Sequence, residues 1–430
     1  MTEGEKMYDL CGRLFPICRS ITGNGVRETF RIIQAEIPDI PIELHEVPTG
    51  TQVFDWTVPK EWNIRDAYIE TPDGRKICEF KKNNLNILHY SVPVDATVSL
   101  SELREHITTL EDQPDLIPYA SSYYKERWGF CMAYNELKSL PEGDYHVYID
   151  SELKDGSLTY GQILIPGKFD EEILFSSYTC HPSMANNECS GPSLITALAR
   201  YIKDMPERRY TYRLVLAPET IGAITYISRN LDHLKSHVRA AFNLTCVGDD
   251  RTYSIVHSRY GDTLADKILT NILKYHDPEY CDYPYTARGS DERQYQAPGV
   301  DVPMVCFCRS KYHVYPEYHT SADNMDLISP AGLQGSFDVM KKAIHALEYN
   351  RYYKTQTLCE PQLGKRGLVP TMSSKETYKS TLALKDLIAY ADGRNDLVDI
   401  SNIIGAPVDI LIPLVDQLME CRLFREVAHD

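Results

Sequence analysis

The hydrophobic pattern predicts an α/β protein. A mixed, largely parallel sheet with helices on both faces is interrupted early by an inserted β-rich domain and followed by a winged helix-turn-helix domain. Three observations predict this. Between about residues 167 and 350, apolar runs of strand length alternate with longer stretches of helical spacing. Between about 47 and 166, short alternating runs follow one another, punctuated by Pro, Gly and Asp. Beyond about 350, three helical stretches end in a strand-like LFREV.

Residues 1–46 read as helical. LCGRLFPICR and NGVRETFRIIQAEI carry apolar residues three and four apart, and Thr22-Gly23-Asn24-Gly25 separates them. QVFDWTVP, RDAYIETP, LNILHYSVPV, WGFCMAY and YHVYIDSEL then predict a mainly antiparallel unit over 47–166, rich in Tyr and Trp. Its rings, Trp128 in SSYYKERWGF among them, are expected to cover the mouth of a site and restrict it to small substrates. Strand and helix alternate next: ILFSSYT with SLITALARYIKDM, YRLVLA with AITYISRNL, AAFNLTCV with DTLADKILTNILKYH, VPMVCFC with AGLQGSFDVMKKAIHALEYN. Such alternation makes an open sheet covered on both faces, and ligands bind outside the carboxyl ends of its strands. The first helices are expected to join this sheet. One discontinuous domain then spans 1–46 and 167–350, with 47–166 inserted and 351–430 forming a linker and the winged-helix domain.

Three strings in the second half carry chemistry: YTCHPSMANNECSG (Tyr178 to Gly191), RLVLAPETIG (Arg213 to Gly222) and PEYHTSADN (Pro316 to Asn324). Each places a metal-binding or proton-transferring side chain directly after an apolar stretch. Together they offer His181, Glu219 and His319, which are parts of a hydrolytic zinc site. Cys180 is read as a buried structural thiol that strand alternation points away from His181. Glu219 is read as a general base or, in the plainer account, as a cap of the helix that follows it.

These strings, YHT-x-x-D above all, resemble the zinc aminopeptidases of the superfamily that also holds glutaminyl cyclase and glutamate carboxypeptidase. The resemblance implies His181 and His319 as ligands and Glu219 as the proton carrier. It also places Asn187, Thr220 and Thr245 where the two-zinc enzymes have carboxylate ligands. An amide or hydroxyl is a poor zinc ligand, so one zinc ion per chain is expected, with Glu188 either completing a His-Glu-His site or remaining a solvated turn residue. RGSDERQY (Arg288 to Tyr295) falls in a pocket-lining loop of the superfamily. Asp291 there is expected to accept from a substrate amine or a water, and Arg288 and Arg293 to bind a carboxylate or phosphate. The whole chain is similar to bacterial aminopeptidase-like proteins with a β-insertion and a winged helix, a group associated with polysaccharide or surface-glycan biosynthesis.

The functional expectation is a zinc-dependent hydrolase of a peptide or amide bond in a small substrate, aminopeptidase-like. The alternatives are a non-catalytic metal-binding or scaffolding protein, and an amidohydrolase of carboxypeptidase or deacylase type. Composition narrows the partners. The 430 residues suffice for two or three domains, and the formal net charge of −16 disfavours nucleic acid. The third helix of the tail, near Val408–Glu420, carries Asp409, Asp416 and Glu420 and no Lys or Arg. Its face of Ile410, Leu411, Leu414, Val415 and Leu418 is expected to pack within the small domain, with homo-oligomerisation through whatever stays exposed. No run approaches the ~20 apolar residues of a membrane span. The polar start is not read as a signal peptide, and the 12 scattered cysteines contain no C-x-x-C pair, so a reduced, cytoplasmic setting is expected.

Overall fold

The computed structural model describes residues 1–368 and 375–428. It comprises two compact units: residues 1–261 with 281–337, and residues 262–280 with 338–430.

The first unit is built on an eight-stranded sheet. Its spatial order is Glu43–Pro48, Ser157–Ile165, Thr211–Ala217, Glu172–Tyr178, Val238–Leu244, Met304–Cys308, Ser254–Val256 and Cys281–Tyr283. The four central strands, from Thr211–Ala217 to Met304–Cys308, run parallel, and antiparallel pairings flank them on both sides. Every residue of Glu172–Tyr178 and Thr211–Ala217 is buried, as a strand covered on both faces requires. The buried Glu172 is matched by Arg213, at 2.6 and 2.8 Å, and by His233 at 2.9 Å.

The chain moves from Glu172–Tyr178 to one neighbouring strand through helix Ser190–Asp204. It then crosses back over the first strand through Ile221–His237 to Val238–Leu244. Both crossovers join parallel strands, and their right-handedness places the two helices on opposite faces. Helices Glu3–Leu14 and Asn24–Glu36 pack with Ser190–Asp204. This reversal opens a crevice at the carboxyl ends of the central strands.

The inserted part is shorter than its pattern suggests. Glu43–Pro48 and Ser157–Ile165 pair with the large sheet, so 49–156 remain outside it, not 47–166. The insertion holds a four-stranded antiparallel sheet in the order Lys76–Ile77, Glu61–Glu70, Asp144–Lys154, Val94–Ser99. LNILHYSVPV does not form a strand at its start. The Asn83 side chain accepts from Leu85 N at 3.0 Å and begins a 3-10 turn, and Tyr90 takes φ +67°.

The second unit holds helices Lys375–Tyr390, Leu397–Ile404 and Val408–Glu420 and a three-stranded sheet in the order Asp392–Asp396, Tyr352–Thr355, Phe424–Val427. Gly405, at φ +67°, ends the second helix, and the third follows at a bend of 120°. Two expectations are corrected here. Helix Leu264–His276, assigned by pattern to the first domain, belongs to this unit: Lys267 pairs with Asp396 and Asp399, both at 2.5 Å, and Asn271 bonds Ser401 and Asn402. The buried face of the third helix is Val408, Leu411, Val415 and Leu418, and Ile410 is 51% exposed. Among the described residues no single helix is long and apolar enough to cross a membrane.

Candidate active site

His181, Glu188, Glu219, Asp291 and His319 all lie in the first unit at the crevice end of its sheet. His181 follows strand Glu172–Tyr178 and is buried. Next comes a fully buried π-turn, Ala185–Cys189, which leads into helix Ser190–Asp204. Single π-turns in helices are common at functional sites. Asp323 braces this one by accepting from Asn186 N at 2.6 Å and Asn187 N at 3.1 Å, while Tyr315 donates to the same carboxylate at 2.8 Å. Asn186 Nδ2 also donates to Asp249 at 2.9 Å. Burial raises the Asp323 pKa to about 6 even with these donors in place.

The turn directs the Glu188 carboxylate back at the histidine. Glu188 Oε1 accepts from the main-chain N of Cys180 and, at 2.7 Å, of His181. Its Oε2 lies 2.9 Å from His181 Nδ1. A carboxylate on Nδ1 fixes the ring and its tautomer and leaves Nε2 as the free nitrogen. Glu188 is therefore neither a solvated turn residue nor a donor open on the Nε2 side. Beneath it lies the fully buried Arg19, which donates to the His181 carbonyl at 3.0 Å and to Cys189 Sγ at 3.1 Å. Burial opposes a charged His181, but Glu188 and Glu219 outweigh it and its pKa is raised.

Glu219 Oε2 stands 3.7 Å from His181 Nε2. The Glu219 side chain is 18% exposed, so one end of the carboxylate reaches the cleft. Burial raises its pKa, the neighbouring Glu188 and Glu292 add to this, and His181 and Arg293 oppose it. The residue after it, Thr220, has φ +63°, a conformation costly for a β-branched side chain. Asp291 holds that turn by accepting from Thr220 N at 2.7 Å, and Arg293 Nη2 donates to Thr220 Oγ1 at 2.8 Å. Asp291 is thus first a support of the Glu219 turn. Its Oδ2 is buried without a partner, and burial with Glu219 nearby holds its pKa well above the carboxylate range.

His319, at φ +56°, lies across the cleft with its ring centroid 5.0 Å from that of His181 and its face stacked on Tyr318. Its Nε2 is buried without a hydrogen-bond partner. The expected trio of His181, Glu188 and His319 is not gathered to ligand spacing. Among the described residues, the three metal-ligating groups with atoms within 4.8 Å of one another are Cys180, His181 and Glu188. Cys180 corrects a second expectation, because its Sγ lies 3.4 Å from His181 Nδ1 and accepts from Glu219 N at 3.2 Å. The chain leaves the regular strand at Tyr178, so alternation no longer governs the thiol. Burial, then Glu188 and Glu219, push its pKa well up.

Neutral groups close the rest of the floor. Asn187 Nδ2 donates to Tyr178 Oη at 3.0 Å, Tyr178 Oη bonds Thr245 Oγ1, and Thr245 Oγ1 donates to the Asn187 carbonyl at 3.2 Å. Arg288 is not part of the site: it is exposed and lies over Tyr285, 4.8 Å from the ring centroid. Trp128 stacks on His106, with ring centroids 3.5 Å apart. The insertion does reach the site, through Tyr119, whose ring lies 4.8 Å from His181 and 5.3 Å from His319. Asp323 is the acid of YHT-x-x-D, but nothing in the spacing around Tyr119 or Arg19 marks them, because their roles depend on contacts across the fold.

Fold and site together define an aminopeptidase-like α/β protein with an inserted β-unit and a C-terminal winged helix. The chain belongs to the family described as domain of unknown function DUF4910, whose model matches residues 8–350, and a winged helix-turn-helix model matches 350–426. A Clostridium acetobutylicum protein, provisionally named for polysaccharide biosynthesis with an aminopeptidase-like domain, is 46% identical over 400 residues, 93% of this chain and 91% of its own. The crystal structure of a provisionally named peptidase from Clostridium acetobutylicum matches with TM-score 0.92 at 44% identity, covering 99% of this chain and 96% of that one. BSAP, a zinc aminopeptidase from Bacillus subtilis, shares the fold with TM-score 0.57 at 13% identity, over 80% of this chain and 94% of its own.

Proposed function

We infer that this protein is a zinc-dependent hydrolase of an amide or peptide bond in a small substrate. The observation that carries this reading is the pairing of an oriented His181, its Nε2 free, with Glu219 at 3.7 Å and an unpartnered, buried His319 Nε2 across the cleft. Two imidazoles suit zinc, and the buried carboxylates around them favour a cation. The donor set fits one ion better than two, because the Thr220 and Thr245 hydroxyls are tied into supporting bonds and Asn187 offers only a neutral amide oxygen. His181 and His319 would hold the ion, with Glu188 acting as the carboxylate that orients His181. When bound, zinc would polarise the substrate carbonyl and acidify a water.

The chain's own groups do the rest. Glu219 accepts a proton from the attacking water and delivers it to the leaving nitrogen. Asp291 and Arg293 keep the Glu219 turn in place, and Arg293 offers its remaining donors to a substrate carboxylate. The insertion narrows the cleft beside the two histidines, which supports a small substrate. A panel of aminoacyl amides, N-acyl amino acids and N-acyl amino sugars tests the reaction class; the sugars enter through the name of the Clostridium relative. Protein purified without chelators is expected to hold about one zinc per chain, and Glu219→Gln to keep the zinc and lose turnover. Loss of zinc in that variant would make Glu219 a ligand and not the base. The neutral floor also favours a second reading, a metal-binding scaffold, which turnover abolished by Glu219→Gln would remove. The acidic second unit is assigned to protein contact, homo-oligomerisation included, and not to nucleic acid.

A further inference from the structure

The insertion is tied to the loop that carries His319. Ser321 N donates to the Ile117 carbonyl at 2.8 Å, and Ile117 N donates to Ser321 Oγ at 3.0 Å. Tyr119 N donates to the His319 carbonyl at 2.9 Å, and Gln113 Nε2 donates to the Pro316 carbonyl at 2.7 Å. Pro118 and Thr320 form an antiparallel bridge between these bonds. Tyr119 is thus fixed along a strand-like contact and does not sit at a loose loop tip. Its ring meets both imidazoles edge-on, 4.8 Å from His181 and 5.3 Å from His319, and those rings are 5.0 Å apart. Behind it stands His89, fully buried, with ring centroids 5.5 Å apart at 74°. Tyr119 and the two imidazoles thus lie within 5.3 Å of one another, and one of these rings comes from the insertion.

The hydroxyl groups distinguish Tyr119 from most tyrosines nearby. Tyr178 Oη bonds Asn187 and Thr245, Tyr312 Oη donates to Glu292 at 2.6 Å, and Tyr315 Oη donates to Asp323 at 2.8 Å. Of the tyrosines beside His181 and His319, Tyr119 and Tyr318 have no hydrogen bond to their hydroxyls among the described residues. A largely covered phenol with an unmatched O–H is a donor that a ligand can satisfy.

We propose that Tyr119 donates its hydroxyl hydrogen to the charged oxygen of a tetrahedral oxyanion bound between His181 and His319, so that the insertion supplies a substrate-contacting residue. This rests on the hydrolase reading above. When water attacks an amide carbonyl, the C–O π pair moves onto oxygen, and the Tyr119 O–H strengthens its bond to that oxygen without giving up the proton. The C–N bond then breaks as the carbonyl re-forms, and the leaving nitrogen takes the proton carried by Glu219. A donor aimed at charge that develops during the reaction stabilises the transition state more than the ground state.

Tyr119→Phe keeps the ring and removes the hydroxyl. Tyr124→Phe is the control, because Tyr124 is exposed and its hydroxyl pairs with Tyr123. Zinc content and calorimetric binding of inorganic phosphate, a tetrahedral oxyanion, are measured on zinc-loaded wild type and both variants. Equal zinc is expected in all three, with phosphate held about tenfold more weakly by Tyr119→Phe alone, as for loss of one charge-assisted hydrogen bond. Equal phosphate affinity in Tyr119→Phe and wild type overturns the proposal and leaves the hydrolase reading standing. Zinc-loaded wild type that binds no phosphate has the same consequence, as does zinc lost from Tyr119→Phe. Wild type that takes up no zinc overturns both.

Discussion

At the scale of single residues, the centre depends on a buried carboxylate acting through its neighbour. Glu188 is fully buried, with His181, two main-chain N–H groups and the nearby charge of Arg19 around it. Replacing it by Gln keeps the shape but leaves Arg19 without a compensating charge. Removing one partner from a buried charged group costs on the order of 3 kcal/mol. Loss of an orienting carboxylate on a ligand histidine weakens metal binding about 10- to 100-fold. Glu188→Gln is therefore expected to lower the urea midpoint and, if the proposed zinc is bound, to lose it to a competing chelator at lower chelator concentration. A variant as stable and as tightly loaded as wild type would contradict this role.

At the scale of elements, two joints stand out. The first is Gly191, at the start of helix Ser190–Asp204. A Cβ there would run into Ser177 Oγ and the Leu244 carbonyl, both on central strands of the sheet. Gly191→Ala is expected to push this helix, and the His181 turn with it, off the sheet at about 1–3 kcal/mol. Calorimetric melting checks this, and an unchanged midpoint would refute the close approach. The second joint ties helix Asn24–Glu36 to strand Glu61–Glu70 of the insertion. Arg27 donates to Glu61 at 2.7 and 2.9 Å, and Ser157 N adds 3.1 Å. The Arg27 bond, with Ser157 and Asn63 helping, overcomes burial and takes Glu61 from the ordinary 4.5 to about 2. A depressed carboxylate contributes stability above its unfolded value, and that contribution is lost as pH falls from about 4.5 through about 2. With the Arg27 side chain 31% exposed, Glu61→Gln should cost about 1–2 kcal/mol at pH 7. The gap between variant and wild type should close at low pH. Urea titrations at pH 7 and near pH 2.5 measure it, and a gap that widens in acid would show the sign to be wrong.

For the whole molecule, the boundary between the two units does not follow the chain. Leu264–His276 comes from between two strands of the large sheet, yet its Lys267 and Asn271 bond the winged helix. A chain cut after residue 350 keeps this helix and loses its partners. It is expected to aggregate or melt well below the full chain, as light scattering and calorimetry would show; an equally stable truncation would refute the interleaving. The third helix, Val408–Glu420, carries acids and no Lys or Arg, so the full chain is expected to show no salt-sensitive binding to duplex DNA in fluorescence anisotropy at physiological ionic strength. Such binding would overturn the charge argument.

The sequence by itself determined the alternation that makes the sheet, the helices and wing of the tail, and the segments bearing His181, Glu219 and His319. Periodicity and local motifs are properties of neighbours along the chain, so they can be read there. Only the tertiary structure decided that Glu188 faces Nδ1 of His181, that Cys180 turns toward the site, that Arg288 turns away, and that Tyr119 enters from the insertion. It also moved Leu264–His276 into the second unit and Ile410 to the surface. Each of these depends on a π-turn, a left-handed residue or a contact between segments far apart in sequence. Local periodicity holds no record of such distances, because packing across the fold sets them.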